Sequence, residues 1–261
     1  MLFIENLSVL VIMIFVKNIK ITLEYDGTNY AGWQVQPDQD TVQQRVVDSI
    51  QSVSQEKVTV QGSSRTDAGV HAKAQVANFK TSKDYPANEW KKAINHFLPA
   101  DIRVVHAEEV SDNFHARFSA KGKVYRYCLF LGDQPTVFER LYVCAYPYPL
   151  DLNKVQEAVQ LFIGKRDFAS FSAFRGAEDE PATTVRHLRR FQLSLQDKHV
   201  VFELEADGFL YKMVRMTVGT VLEAGRGSLS LSDIAREFKT PSKKMGPCIS
   251  PSGLILWDVL Y

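Results

Sequence analysis

The stretch Gln61–Ala72 reads QGSSRTDAGVHA, and it lies between two runs with the alternating pattern of strands. It gathers a carboxylate, a guanidinium, an imidazole and three hydroxyls into one segment. Gly62 and Gly69 flank its charged centre, and glycine is favoured where a chain turns sharply or approaches a ligand closely. We therefore expect a loop that presents Asp67 beside Arg65, because a nearby cation favours the ionised form of a carboxylate. An aspartate in a glycine-flanked loop is also a common turn residue, so this segment alone leaves both interpretations open.

The segments on both sides of this loop have the periodicities of regular structure. Thr41, with Gln44 three residues later, is typical of a capping box at the start of a helix. Strands are predicted at 19–25, 58–60, 76–79, 102–110, 124–131, 185–193, 200–206 and 254–259, and helices at 42–53, 90–98, 152–162, 210–222 and 231–238. This order predicts an α+β fold. We expect two domains, 17–112 with the loop and 113–261, after an N-terminal extension at 1–16.

The composition is that of a globular chain with almost no net charge. Its 261 residues are 45% hydrophobic and 23% charged, and the formal net charge of +1 gives no overall indication of a nucleic-acid partner. The three cysteines are far apart and form no Cys-x-x-Cys pair, which predicts reduced thiols and a cytoplasmic protein. The apolar run Leu7–Val16 is too short for a membrane helix and lacks the features of a signal peptide. We expect no membrane segment and a chain that starts at Met13 or carries a disordered tail before it.

Positive charge is nevertheless clustered along the chain. Basic residues gather at 103–126, at 186–190 and at 243–244. Each run alone is typical of a solvated surface, but together, in a nearly neutral protein, they predict a basic groove. His71 and His115 have no further histidines or carboxylates at ligand spacing, so no metal site is expected.

Five segments together resemble the TruA family of tRNA pseudouridine synthases. The loop at 61–72 is similar to the family's signature loop. The other four follow the family's motifs in order: YDGTNYAGWQ at 25–34, FHARFSA at 114–120 with YRY at 125–127, DFASF at 167–171, and GFLYKMVR at 208–215 with Gly219. The resemblance covers the chain from about 19 to 261, and the agreement of five motifs in sequence makes it specific.

The resemblance implies roles for individual side chains. Asp67 matches the family's nucleophilic aspartate, and Arg215 matches the arginine that pairs with it. Tyr125 matches the tyrosine that stacks on the target base, and Arg65 matches the arginine tied to flipping the target nucleotide. Further RNA contacts are expected at the remaining polar motif residues, His71, His115, Arg117 and Lys212.

The resemblance also implies a fold and a reaction. The fold has two ferredoxin-like halves that share a mixed, mostly antiparallel sheet, with Asp67 in a central cleft. The reaction isomerises uridine to pseudouridine at positions 38, 39 and 40 in the anticodon stem-loop of tRNA, without a cofactor, and the enzyme is a homodimer. Because the N1–C1′ bond breaks and a C5–C1′ bond forms, a carboxylate close to the sugar and base suits this chemistry.

Two local expectations concern the backbone near these side chains. The periodicity of 210–222 places Lys212, Arg215 and Gly219 on one face of a helix. Position 64 is Ser where the family more often has Gly, and the loop would be strained if this position required a positive φ.

Three other functions are alternatives to this one. A catalytically silent tRNA-binding protein would be expected to have lost Asp67, Tyr125 or Arg215, and all three are present. A metal- or acid-dependent hydrolase using Asp67 and His71 would need further ligands at recognisable spacing. A synthase of the same fold with a different RNA target is separated poorly by sequence, because the choice of target depends on surface shape.

Overall fold

The computed structural model describes residues 16–174 and 181–261 and contains a ten-stranded sheet with five helices packed on it. The strands are β1 (Lys17–Tyr25), β2 (Gln61–Gly62), β3 (His71–Thr81), β4 (Ile102–Val110), β5 (Gly122–Leu131), β6 (Cys144–Tyr146), β7 (Gly164–Asp167), β8 (Val185–Gln196), β9 (His199–Ala206) and β10 (Leu254–Leu260). The helices are α1 (Val42–Ser54), α2 (Ala87–Phe97), α3 (Leu152–Phe162), α4 (Met213–Gly225) and α5 (Leu231–Lys239). The expectations for the N-terminal start concern residues outside those described.

The order of strands in the sheet is β4-β1-β3-β10-β5-β9-β8-β7, with β2 paired to β3 and β6 paired to β5. The pairs β10–β3 and β5–β6 are parallel, and the other strand pairs of the described residues are antiparallel. The predicted α+β class with a mixed, mostly antiparallel sheet is therefore confirmed. The division into 17–112 and 113–261 stays a prediction.

The last strand, β10, lies at the middle of the sheet between β3 and β5. On one side it pairs with the start of β3, where Ile255 lies opposite His71. On the other side it pairs with β5, where Leu256 lies opposite Tyr125. The end of the 61–72 loop and Tyr125 therefore lie on either side of β10.

Helix α1 shows why local patterns were informative. The Thr41 side chain accepts a hydrogen bond from the Gln44 N–H at 3.4 Å, as expected for an N-cap. The Gln44 side chain bonds Asp48 at 2.7 Å instead of reaching back, so only half of the predicted capping box forms. Val42, Val46 and Ile50 are fully buried beneath it, which confirms the predicted helical stripe.

The strand predicted at 58–60 is wrong, because pairing to β3 is confined to Gln61 and Gly62. Val58 and Val60 are buried, and that burial produced the alternation. The Val60 carbonyl accepts instead from the side chain of Gln43 at 2.9 Å. Strands β6 and β7 were missed because three or four residues are too few to show a period.

None of the helices in the described ranges has the length and apolar character that crossing a membrane requires.

Candidate active site

The loop at 63–70 is held in place by Gln75, which is fully buried in β3. The Gln75 Oε1 accepts from the Ser63 hydroxyl at 2.7 Å and from the Ser64 N–H at 3.3 Å. The Gln75 Nε2 donates to the Ser64 carbonyl at 2.8 Å. A buried amide that satisfies three loop groups fixes the loop's conformation. Sequence reasoning missed Gln75, although a polar residue in line with the core-facing Ala77 and Phe79 was a usable signal.

The 25–34 segment supports the same loop from the other side. The Trp33 N–H donates to the Thr66 carbonyl at 3.1 Å, and the Thr66 hydroxyl lies 2.8 Å from the Tyr25 hydroxyl. Gly32 has φ +98, and a Cβ there would lie 2.6 Å from the Thr66 carbonyl oxygen. Only glycine allows this close approach without strain. The first motif therefore braces the backbone on both sides of Asp67.

Asp67 and Arg215 form an ion pair at the centre of the site. The Arg215 Nη1 lies 3.2 Å from the Asp67 Oδ2, and the two side chains are only 12% and 13% exposed. The Arg215 Nε also donates to the Ile249 carbonyl at 2.7 Å, which fixes the plane of the guanidinium. Arg215 lies in the first turn of α4, so a helix aims the cation and a clamped loop aims the carboxylate. The charge-assisted hydrogen bond orients the Asp67 carboxylate towards the guanidinium.

Tyr125 lies beside this pair on β5. Its hydroxyl is 2.8 Å from the Ser64 hydroxyl, and its ring meets the Phe209 ring edge-on with the centroids 5.0 Å apart. Burial raises the pKa of Tyr125 to about 12; the hydrogen bond with Ser64 opposes the rise, and the nearby Asp67 charge adds to it. The phenol is therefore neutral at physiological pH and keeps its proton.

Ser64 does not have the positive φ that would strain the loop. The described non-glycine residues with positive φ are Asp38, Gln55, Asp197 and Lys212. Ser64 has an ordinary backbone, and its hydroxyl instead supplies the partner of the Tyr125 phenol. A glycine at this position would leave that partner out.

A cleft of about 650 Å³ opens over these groups. Its described lining residues include one carboxylate, Asp67, and six cations: Arg65, Arg117, Lys123, Arg186, Lys212 and Arg215. Segments 103–126 and 186–190 both contribute, so part of the charge expected in a basic groove does converge. Arg189 and Arg190 lie outside this lining and pair with glutamates of β9. The cleft lining has more cations than carboxylates, which makes it suited to a polyanion.

The expectation that Lys212 shares a helix face with Arg215 is wrong. Helix α4 begins at Met213, and Lys212 precedes it with φ +58 in the left-handed region. This conformation turns Lys212 out of the helical repeat, and its Nζ lies 5.0 Å from the centre of the Tyr211 ring. It still lines the cleft.

The structure does not make His71 available to a phosphate. Its side chain is 3% exposed, the Nδ1 accepts from the Gly27 N–H at 3.1 Å, and the Nε2 donates to the Leu141 carbonyl at 2.9 Å. Both ring nitrogens are therefore used to tie three segments together. His115 lies outside the described cleft lining, and its Nδ1 accepts from the Arg117 N–H at 3.1 Å. It supports the turn that carries Arg117, and Arg117 itself reaches the cleft.

Within residues 16–174 and 181–261, no group of three or more His, Cys, Asp or Glu side chains is arranged to hold a metal ion. The three cysteines, all in this part of the chain, are free thiols.

A clamped carboxylate, a guanidinium partner and a buried phenol in a cation-lined cleft form a candidate carboxylate-based active site suited to an anionic substrate. Comparison with known proteins identifies the family to which this chain belongs. A family model described as tRNA pseudouridine synthase matches residues 21–119 and 158–261. The chain belongs to this family, as the resemblance in the motifs implied.

Named relatives agree with this assignment over nearly the whole chain. The tRNA pseudouridine synthase A 2 of Clostridium perfringens is 43% identical over 246 residues, which cover 94% of this chain and 100% of that protein. The tRNA pseudouridine synthase A of Caldicellulosiruptor bescii is 40% identical, with the same coverage of both chains. The protein of that name from a Geobacillus species is 41% identical over 249 residues, covering 94% of this chain and 98% of the relative.

Proposed function

We propose that this chain isomerises uridine to pseudouridine at positions 38, 39 and 40 of the tRNA anticodon stem-loop, with Asp67 as the carboxylate that engages the target nucleotide. The observation that carries the proposal is the 3.2 Å pair of Asp67 and Arg215 inside a cleft lined by five further cations. A polyanionic RNA supplies the charge that such a lining would neutralise. The named relatives are tRNA pseudouridine synthases.

The reaction needs a carboxylate and a place for a loose base, because it rearranges the substrate without adding or removing atoms. The N1–C1′ bond breaks, the base turns, and C5 bonds to C1′; the C5 proton leaves, and N1 ends with a proton. Asp67 is held against Arg215 to engage the nucleotide while the glycosidic bond is broken. Tyr125, with a neutral phenol beside Phe209, offers an aromatic surface on which the detached base stacks.

The remaining cations bind the RNA around that base. Arg65 is exposed in the same loop as Asp67 and lines the cleft, so it is placed to enter the space that the flipped nucleotide leaves. Unstacking a base costs a few kcal/mol, and a side chain that fills the gap offsets part of this cost. Arg117 and Lys212 contact phosphates along the cleft.

The proposal extends to a cytoplasmic homodimer, since tRNA is the substrate and the motifs resemble those of a dimeric family. Phe138 and Val137 are adjacent and 92% and 65% exposed, and exposed apolar side chains that adjoin are typical of association surfaces. Native mass spectrometry of the wild type and of Phe138→Ser tests this. A dimer that dissociates in the variant is expected, and a monomeric wild type would contradict the proposal.

The experiment that tests the reaction combines purified protein with an unmodified tRNA bearing uridines at 38–40, without added cofactor or metal. Pseudouridine is mapped by a chemical reverse-transcription stop. Asp67→Asn removes the carboxylate, and Asp112→Asn, an exposed aspartate outside the cleft lining, is the matched control. We expect stops at these positions with the wild type and with Asp112→Asn, and none with Asp67→Asn.

Two outcomes would count against the proposal. Modification by Asp67→Asn at the rate of the wild type would exclude Asp67 from the chemistry. Tight tRNA binding by the wild type without modification would indicate a silent binding protein or a synthase with a different RNA target.

A further inference from the structure

Three cations of the cleft, Arg117, Lys123 and Arg186, are not needed to aim Asp67 or to stack the base. We propose that this cation cluster binds one backbone phosphate of the substrate RNA, immediately next to the nucleotide whose base reaches Tyr125. The inference rests on the proposed function and adds to it a specific site, with two residues, Lys123 and Arg186, to which no role had been given.

Arg186 lines the cleft, and one of its terminal nitrogens is held by the backbone. Its Nη1 donates to the Thr183 carbonyl at 2.9 Å and to the Val185 carbonyl at 2.7 Å, which uses both hydrogens of that nitrogen. Its Nε and Nη2 have no hydrogen-bond partner among the residues that the structure describes. These two nitrogens form the edge of a guanidinium that donates two parallel hydrogen bonds to an oxyanion. The pKa of Arg186 is lowered by burial, with Asp207 opposing the shift.

Lys123 has a charge without a counter-charge. It is half-buried on β5, and its Nζ has no hydrogen-bond or ion-pair partner in the described part of the chain. Burial, together with the nearby charges of Arg117 and Arg186, lowers the pKa of Lys123 to about 8. A half-buried ammonium that also faces two guanidiniums costs free energy in the empty cleft. An anion placed among the three cations removes this cost.

Arg117 completes the cluster from a third segment. It is exposed on the turn between β4 and β5, and the Nδ1 of His115 accepts its N–H and stabilises that turn. A strand, a turn and the start of β8 therefore each supply one cation. Convergence of cations from separate segments distinguishes a binding site from a solvated charge run.

The position along β5 identifies which phosphate is bound. Lys123 and Tyr125 are two residues apart on the strand, so their side chains project from the same face about 7 Å apart. This separation is within the span of one nucleotide. A base at Tyr125 therefore carries its own phosphate, 5′ or 3′, to the cation cluster.

The test uses a synthetic anticodon stem-loop in which one phosphate at a time becomes a neutral methylphosphonate, beside a 2′-deoxynucleotide that keeps the linkage stable. The matching deoxy phosphodiester RNA is the chemical control. Binding is measured in the Asp67→Asn background, to prevent turnover, with and without Lys123→Met. Methionine keeps the length of the lysine stem and removes its charge. Lys92→Met on α2, whose side chain is 69% exposed, is the matched protein control.

We expect one methylphosphonate next to the target uridine to weaken binding by about tenfold when Lys123 is present, as for loss of a charged hydrogen bond. The same RNA should bind Lys123→Met with less than about a twofold change, because the partner charge is already gone. Lys92→Met in the Asp67→Asn background should lose as much affinity for the methylphosphonate RNA as Asp67→Asn alone. In Arg186→Gln, the same methylphosphonate should likewise change the RNA affinity by less than about twofold. Agreement between the two variants would show that the result does not come from a folding defect in one of them.

The inference would be overturned if a methylphosphonate lowered the RNA affinity equally at every phosphate position and in every protein variant. Competition by millimolar inorganic phosphate, with no position-specific effect in the RNA, would also overturn it and would assign the cluster to a free anion. Pseudouridine formation by the wild type is measured on the unmodified stem-loop in parallel. Pseudouridine formation without a methylphosphonate effect that depends on Lys123 contradicts the phosphate site alone. A methylphosphonate effect that depends on Lys123, without pseudouridine formation, contradicts the proposed function alone. An absence of RNA binding contradicts both.

Discussion

The Asp67–Arg215 pair and the cation cluster lie in one cleft but are built in opposite ways. Arg215 is bonded to Asp67 and to the Ile249 carbonyl, and the loop that carries Asp67 is held by Gln75. In the cluster, by contrast, the Nζ of Lys123 and one edge of Arg186 have no hydrogen-bond partner among residues 16–174 and 181–261. Under the proposed function, the groups that act on the nucleotide are held in position by other protein groups, whereas the groups that bind the RNA keep hydrogen-bonding capacity for it.

The comparison predicts different kinetic effects for arginines that line the same cleft. A substitution in the aimed pair should lower kcat, and a substitution in the cluster should raise KM.

The largest effect is expected for Arg215→Gln. Asp67 loses the cation that orients it, and we expect single-turnover rates to fall by about a hundredfold, as for other small misplacements of reacting groups. RNA affinity should change little, because several other cations remain in the cleft. Arg215→Lys should recover only part of the rate, since an ammonium lacks the planar fork that serves both Asp67 and Ile249. A rate close to that of the wild type in Arg215→Gln would contradict the pairing.

The next largest effect is expected for Gln75→Leu, and it concerns the stability of the fold. It leaves the Ser63 hydroxyl and the N–H and carbonyl of Ser64 without their buried partner. We expect the free energy of unfolding, measured in urea, to fall by about 2 kcal/mol. Gln44→Leu, which removes an exposed bond to Asp48, should change it by less than about 0.5 kcal/mol. Equal losses in the two variants would show that the loop does not depend on Gln75.

Arg186→Gln should raise KM by about tenfold and leave kcat nearly unchanged, because the lost contact is made equally in the ground and transition states. Arg190→Gln is the matched control on the same strand, since Arg190 pairs with Glu203 and Glu205 outside the cleft lining. Steady-state kinetics on a tRNA transcript separate the two parameters. A fall in kcat with constant KM would place Arg186 with the aimed groups and remove the distinction between the two regions.

The smallest effect is expected for Ser64→Gly. The hydrogen bond with Ser64 opposes the rise in the pKa of Tyr125, so its loss should raise that pKa further and loosen the phenol. We expect kcat to fall by less than about fivefold, the usual worth of one neutral hydrogen bond. Ser64→Ala should match it, because both changes remove the hydroxyl. An unaffected Ser64→Ala beside an impaired Ser64→Gly would assign the effect to backbone freedom.

The sequence predicted the features that local rules determine. The stripe of α1 and its Thr41 cap were readable because a helix is specified by neighbours three and four residues apart. The motifs, ordered along the chain, indicated Asp67, Tyr125 and Arg215 before any fold was known. The structure brings these three together through β10, whose pairing to both β3 and β5 joins residues far apart in sequence.

What the sequence could not supply was the direction in which polar side chains point. His71 is drawn inward because it starts β3 next to β10, a partner more than a hundred residues away. Lys212 leaves the helix because its φ is positive, which a side-chain period does not reveal. Lys123 and Arg186 were visible only as members of charge runs. Their convergence depends on the pairing of β5, β9 and β8, which no local pattern encodes.

The most direct test of the central claim follows the hydrogen at C5 of the target uridine. A tRNA transcript labelled with tritium at C5 of uridine is incubated with the wild type, Asp67→Asn or Asp112→Asn, and released tritium is counted. Our account predicts release by the wild type and Asp112→Asn, up to one equivalent for each uridine at positions 38–40, and none above background with Asp67→Asn. Release by Asp67→Asn at the rate of the wild type, or no release by any of the three proteins, would contradict it.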